Sequence, residues 1–164
     1  MNSASVSAET IDERQEEIQQ QKFILAKLDR YTYVFPSTSV LEILLLDRSK
    51  LLQLPHYNPA LLGVVEHQSQ VVPIVSMRRT IGNITDSSGE TLTVVRLKQN
   101  LDSLGGVGLV FDKTLGSCLA KDLPSDLLGE LQGIAPTATE TDSYYRLFKS
   151  ELIPDHLWQP IPLK

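Results

Sequence analysis

The sequence predicts an all-β fold with few short helices, and three observations carry that prediction. Short runs rich in β-branched and aromatic residues recur along the chain, each bounded by Gly, Pro, Asn, Asp or Ser. Two of them, Lys22 to Leu28 and Tyr31 to Phe35, are separated only by Asp29-Arg30, the gap of a tight hairpin. The stretch 58–82, NPALLGVVEHQSQVVPIVSMRRTIG, reads as turn, strand, polar hairpin tip, apolar strand and turn. Many short strands with few helices favour small β-barrels.

The elements follow in order. Residues 1–21 are polar, and Thr10 with Glu13 forms a capping box, yet only Ile11 and Ile18 can seat the segment. A flexible N-terminal arm that can hold a short helix is the expectation. After the first hairpin, Ser39 to Leu46 fits either a strand or a buried helical turn. Asn58 can cap a helical turn with Pro59 at its first position, and Gly63 can end it in the left-handed conformation. Val64-Val65 opens a strand, Gln68-Ser69 is its tip, and Val71 to Val75 returns as an apolar strand. Pro73 cannot donate to a ladder, so this strand lies on an edge, carries a bulge or turns a corner there. Ser76 is placed to cap a second short helix that Gly82 stops.

Asn83 to Glu90 is a loop, Thr91 to Leu97 a strand, Gln99 to Ser103 a turn and Gly105 to Asp112 a strand. Beyond Gly116 the punctuation by Pro124, Gly129, Gly133 and Pro136 obscures any period. Tyr144 to Lys149 reads as a final strand, and Leu157-Trp158 with Pro160 and Pro162 as an extended apolar tail packed on the body.

Composition narrows the function. At 164 residues the chain suits one domain with a sizeable core, and 41% hydrophobic with 21% charged residues is ordinary for a globular protein. Its net charge of -5, with no basic cluster beyond Arg78-Arg79, disfavours nucleic acid. The apolar cluster LEILLL is far shorter than the roughly 20 residues of a membrane span, and the N-terminus lacks a secretory pattern. Cys118 alone excludes an intrachain disulfide and fits a reducing compartment, so a cytoplasmic protein is expected.

His56, His67 and His156 have no His or Cys partner at metal-ligand spacing, so no metal site is expected. GGVG at 105–108 leads into a strand instead of a helix, which fits a close backbone approach better than a dinucleotide fingerprint. No nucleophile elbow is present. An enzyme would need a pocket where Asp112, His56 or His67 converge.

Six segments, FILAKLDRYTYVFP, VLEIL, LPHYNPALLGVV, VVPIVSMR, TVVRL and VGLVFDKTLG, resemble in order and spacing the CheW-like coupling proteins of bacterial chemotaxis and related pilus-motility pathways. The resemblance covers about residues 23–116. LLGVV…VVPIVSMR is similar to the family's L-x-G-V-x-N-L-R-G-x-V-x-P-V-x-D-L-R, and VGLVFDKTLG to V-G-L-x-V-D-x-V-L-G. It implies two small five-stranded SH3-like or OB-like barrels forming one domain over 22–164. It also implies a non-catalytic, cofactor-free adaptor between methyl-accepting receptors and a CheA-type histidine kinase.

By the same resemblance, Val40 and Glu42 match V-x-E-I, a surface associated with partner contact. With Ile43 and the hairpin residues Glu66, His67, Gln68, Ser69 and Gln70 they form the candidate binding set. Gly63, Pro73 and Arg78 match structural positions; Val107, Gly108, Asp112 and Gly116 match the late strand and its turn. The departures lie in the hairpin, where Glu66-His67-Gln68-Ser69 replaces Asn-Leu-Arg-Gly. Gln68 can hydrogen-bond but cannot fork onto a carboxylate, so if Glu42 and position 68 are neighbours, Glu42 has lost its cation. Receptor engagement is then less secure than kinase engagement. Beyond Gly116 the clear L-D-x-x-x-L-L ending of the family is missing, and an orphan interaction module in another complex is the alternative reading.

Overall fold

In the computed structural model, which describes residues 13–14, 16–83, 85, 89–131, 133 and 144–163, the strands form two sheets. In the first, β1 (Lys22–Leu28) and β2 (Tyr31–Pro36) make the expected antiparallel hairpin, from Phe23 opposite Pro36 to Leu28 opposite Tyr31. Asp29 turns it with a φ of 54°. β8 (Lys113–Leu119) flanks β1, and β9 (Tyr145–Leu147) runs parallel to β2. The second sheet has the order β3 (Val40–Asp47), β6 (Thr91–Leu97), β7 (Gly108–Phe111), β5 (Gln70–Ser76), β4 (Leu61–His67). Two sheets of short strands bear out the all-β prediction. Among the described residues the first sheet has four strands, one fewer than the family resemblance implied.

The ambiguous segment Ser39 to Leu46 resolves as β3, whose inward Leu44 and Leu46 alternate with outward Leu41, Ile43 and Leu45. Period two suits a strand that covers a core on one side only. Its partner β6 is enclosed on both faces: Leu92 and Val94 fill the interior of the second sheet, while Val95 and Leu97 join the larger core between the sheets. That larger core holds Phe35, Tyr33 and Phe111, with Phe35 edge-on to Phe111 at 5.6 Å. Pro73 is accommodated because β5 pairs only with β4 up to that point; its parallel pairing with β7 begins at Ile74. The strand is locally an edge there, so the missing N–H costs no ladder bond. Gly108 marks a close approach, since a Cβ would stand 2.7 Å from Val94 Cγ1 and 2.8 Å from Ile74 Cδ1.

Several expectations are corrected. Asn58 to Leu61 is a single turn leading into β4, with Asn58 accepting the Leu61 N–H on its carbonyl and the Ala60 N–H on its side chain, each at 2.9 Å. Gly63 does not end a helix; it lies within β4 at a register shift, φ 147°, against the backbone of Leu52. Strand pairing with β5 outcompetes one helical turn, which lacks the length to sustain itself. The segment after Gly116 contains a helix, α2 (Ser125–Leu131), that follows α1 (Met77–Thr80) in the chain and buries Leu127 beside Phe23, Val34 and Leu123. Leu157-Trp158 is not extended but sits in a 3₁₀ turn, Asp155–Trp158, with Leu157 buried in the main core.

The α1 helix follows the sequence reading, with Ser76 Oγ accepting from Arg79 N–H and Gly82 at φ 92° beyond it. Residues 13, 14 and 16–20 are helical, and Ile18 packs against the α2 cluster; the first twelve residues lie outside the described ones. Cys118 is half-buried on β8, and burial, helped by Asp122, pushes its thiol above the ordinary range. That is the setting of an inert thiol.

The chain passes from the second sheet to the first at Asp112, whose N–H donates to Lys27 O at 2.9 Å. Arg78 on α1 forks onto its carboxylate at 2.8 and 2.7 Å and reaches Asp29 Oδ1 at 2.8 Å; the Asp29 N–H donates to Asp112 Oδ2 at 2.8 Å. The motif residues Arg78 and Asp112 thus clamp the first hairpin to the second sheet. Arg78→Lys, which keeps the charge and loses the fork, is expected to lower stability by about 1–2 kcal/mol, discounted for partial exposure. Urea unfolding of the two proteins checks this, and equal midpoints would show that a single cation suffices.

Candidate protein-interaction site

The β4–β5 hairpin turns at Gln68 and Ser69, with φ of 50° and 62°, two consecutive left-handed residues as in a type I′ turn. Neither is Asn or Gly, so each conformation costs about 1–2 kcal/mol that flanking contacts must offset. Gln70, flanking and inward, supplies one of them; His67 stands opposite it with its Nε2 lacking a hydrogen-bond partner. Gln70 Oε1 accepts from Arg96 Nη2, and His67 Nε2 lies 3.2 Å from Glu42 Oε1.

Arg96 is the centre of this cluster. It is 2% exposed, stands opposite Glu42 across the β3–β6 ladder, and donates from Nη1 to Glu42 Oε1 at 3.0 Å. Its Nε approaches Gly106 O at 3.5 Å. A buried guanidinium is tolerable only when paired, and Glu42, 26% exposed, supplies the counter-charge. Glu42 therefore has its cation after all. It comes from the neighbouring strand, from inside the sheet, and not from hairpin position 68. The sequence reading missed Arg96; its one signal was a lone charge in the apolar strand TVVRL.

The structure brings together three of the candidate residues, Glu42, His67 and Gln70, and leaves the others apart. Val40 is half-buried against the main core. Glu66 is exposed on the outward side of β4, and Gln68 and Ser69 are exposed at the tip. Ile43 lies on the outer face of edge strand β3, between Leu41 and Leu45, and the three side chains are 39%, 47% and 77% exposed. Three outward apolar residues on one edge strand are what an interaction face displays. Leu41 and Leu45 were missed because a run of leucines does not announce which members point outward.

The residues an enzyme would need do not converge. Asp112 is held by Arg78, His67 lies against Glu42, and His56 is exposed in a turn at φ 66°. Among the described residues no group of three or more His, Cys, Asp or Glu is placed to hold a metal ion. A cavity of about 10 Å³ beside Ser76, Arg78 and Asp112 is too small for a substrate. A cleft of about 230 Å³ is lined by Ser103, Ser150, Glu151, Ile153, Pro154 and Asp155, away from these groups. Among the described residues no helix is long and apolar enough to cross a membrane.

The two-sheet β topology together with the sequence defines the class of this chain, that of CheW-like domains. The family model of the CheW-like domain matches residues 22–136, and the chain belongs to that family. The match runs past Gly116 through β8 and α2, so the family character extends further than the six segments reached. Among solved structures, the chain is similar to the scaffolding protein TtCheW from Thermoanaerobacter tengcongensis, with a TM-score of 0.52 and 12% identity. The superposition covers 61% of this chain and 65% of that one, a likeness of fold. No curated protein sequence matches the chain.

Proposed function

We propose that this chain is a cytoplasmic adaptor that couples methyl-accepting chemoreceptors to a CheA-type histidine kinase, holding both without catalysing a reaction. The observation that carries this reading, within a CheW-like domain, is the outward apolar row Leu41, Ile43 and Leu45 on edge strand β3. It supplies a face for a partner of modest interface area. The experiment is calorimetric titration with the regulatory domain of the cognate kinase and, separately, with the receptor's cytoplasmic tip. Leu45→Asp leaves the core untouched and is expected to weaken kinase binding at least tenfold, roughly 1.4 kcal/mol. Glu42→Arg is the poorer probe, because it sets a second cation against buried Arg96. Absence of kinase binding by the unaltered protein would sink the proposal.

A second reading, an interaction module serving another complex, draws support from the hairpin. Glu66, His67, Gln68 and Ser69 stand where the resembling family carries Asn-Leu-Arg-Gly, and the one arginine of this cluster, Arg96, is buried below the tip. Kinase binding without receptor binding would favour that reading over full coupling.

A further inference from the structure

We propose that two copies of this chain pair through the open edge of β3, antiparallel and about a two-fold axis at Ile43, joining their second sheets into one. β3 ends that sheet, and among the described residues β6 is its only strand neighbour. Its facing is fixed by Arg48, just beyond the strand, whose N–H donates to Glu90 O on the β6 side at 2.8 Å. Counting back along the alternation of an antiparallel ladder, Leu46, Leu44 and Glu42 turn their backbone groups to β6, and Leu45 and Ile43 turn theirs to the open side. The guards that usually blunt an edge are weak here. No Lys or Pro lies between Val40 and Leu46, and Glu42, the one inward charge, is neutralised by Arg96 of its own chain. The register shift between Val40 and Glu42 leaves the stretch from Ile43 onward regular. The side chains that this edge turns outward are Leu41, Ile43 and Leu45.

The residues select both the partner and the register. With Ile43 opposite Ile43 of the second copy, Leu41 meets Leu45, Leu45 meets Leu41, and the apolar row runs unbroken across the joint. Two residues with open backbone groups then face each other at the axis, so they exchange two N–H···O bonds. Asp47 meets Ser39 and Glu42 meets Leu44, so no like charges are opposed. Moving the axis to Glu42 would set two carboxylates directly opposite each other, and moving it to Leu44 would set Asp47 against Leu41. One register is thus favoured, and in it the strand is complementary to itself, as an isologous contact requires. The interface is one strand and one apolar row, at the small end of specific interfaces, so a dimer that dissociates at about 10–100 μM is expected. The row is the one assigned above to the kinase, and the dimer withholds it; self-pairing does not itself rest on that assignment.

The test uses the full chain alone, with Cys118→Ser as the background for thiol chemistry. Sedimentation velocity from about 5 to about 500 μM is expected to pass from monomer to dimer. Leu45→Asp, which places a carboxylate against Leu41 of the second copy, should stay monomeric across that range with an unchanged unfolding midpoint. Mild oxidation reads the register. The thiols of Ile43→Cys meet at the axis, with Cα atoms about 5.5 Å apart as a disulfide needs, and should link most of the chain at about 500 μM. Those of Leu41→Cys lie four residues out of step, about 14 Å, and should link about tenfold more slowly or less. A chain still monomeric at about 500 μM, a dimer that Leu45→Asp leaves intact, or equal linking of the two cysteine variants would each overturn self-pairing, the first leaving this edge to a strand of another protein.

Discussion

Arg96→Ala is expected to destabilise the domain by about 2–4 kcal/mol, the cost of breaking a buried charge pair by removing one partner, reduced because Glu42 retains some exposure. Three contacts disappear together: those to Glu42, to Gln70 and to Gly106 O. A carboxylate is left facing an apolar sheet interior of Leu44, Val72 and Val94, and the volume of the guanidinium and its stem is left empty. The comparison that separates charge from packing is the pair Glu42→Leu with Arg96→Met, which removes both charges and keeps bulk. It should recover most of the lost stability, because well-packed apolar residues often match or exceed a buried ion pair. Urea unfolding of the wild type, the two single variants and the double variant measures the coupling. If Arg96→Ala alone cost under about 1 kcal/mol, water would be replacing the guanidinium and the cluster would not be what holds β3 to the hairpin.

Gly63→Ala should cost about 3 kcal/mol or more, because two independent penalties coincide at one position. The backbone sits at φ 147°, and a Cβ there would lie 2.4 Å from Leu52 O and 2.9 Å from Leu52 C. The obstacle is backbone. Relief would push Leu52 away and break the bridge in which Leu52 and Val64 exchange N–H···O bonds at 2.8 and 2.9 Å. Gly82→Ala is the internal control: its φ is 92° but nothing lies within 4 Å of the added methyl, so about 1 kcal/mol of conformational strain is expected. Thermal or urea unfolding of both variants, with hydrogen exchange at Leu52 and Val64, distinguishes the two costs. Equal losses for the two glycines would mean that the Leu52 segment yields freely and that Gly63 is needed only for its conformation.

How far the site could be read from the residues depends on the range of the interaction. The hairpin tip at Gln68-Ser69 was legible because two strand-like runs separated by two polar residues leave little alternative. Ser76 as a cap was legible because its acceptor reaches only three residues ahead. Gly63 was recognised as necessary and given the wrong reason, since its crowding partner, Leu52, is remote along the path of hydrogen bonds that a local turn uses. Helix α2 went unread because Pro124 and Gly129 dominate the local signal, while the burial of Leu127 against Phe23 and Val34 that stabilises it is long-range.

The cation of Glu42 makes the same point at the level of function. The hairpin's departures leave Glu42 without a cation only if position 68 is its neighbour; in the folded chain Arg96, 54 residues later, faces it across one ladder rung. By itself the sequence determined the β class, the hairpins, the order of family segments and the exclusion of metal-ligand and nucleophile motifs, because each rests on local periodicity, turn chemistry or composition. Only the tertiary structure decided which side chains meet: Arg78 with Asp112 and Asp29, Arg96 with Glu42 and Gln70, His67 with Glu42, and which leucines of β3 face outward. The physical reason is that a strand's period of two leaves its facing undetermined until a neighbour is chosen, and charge pairs across a sheet depend on that choice of register.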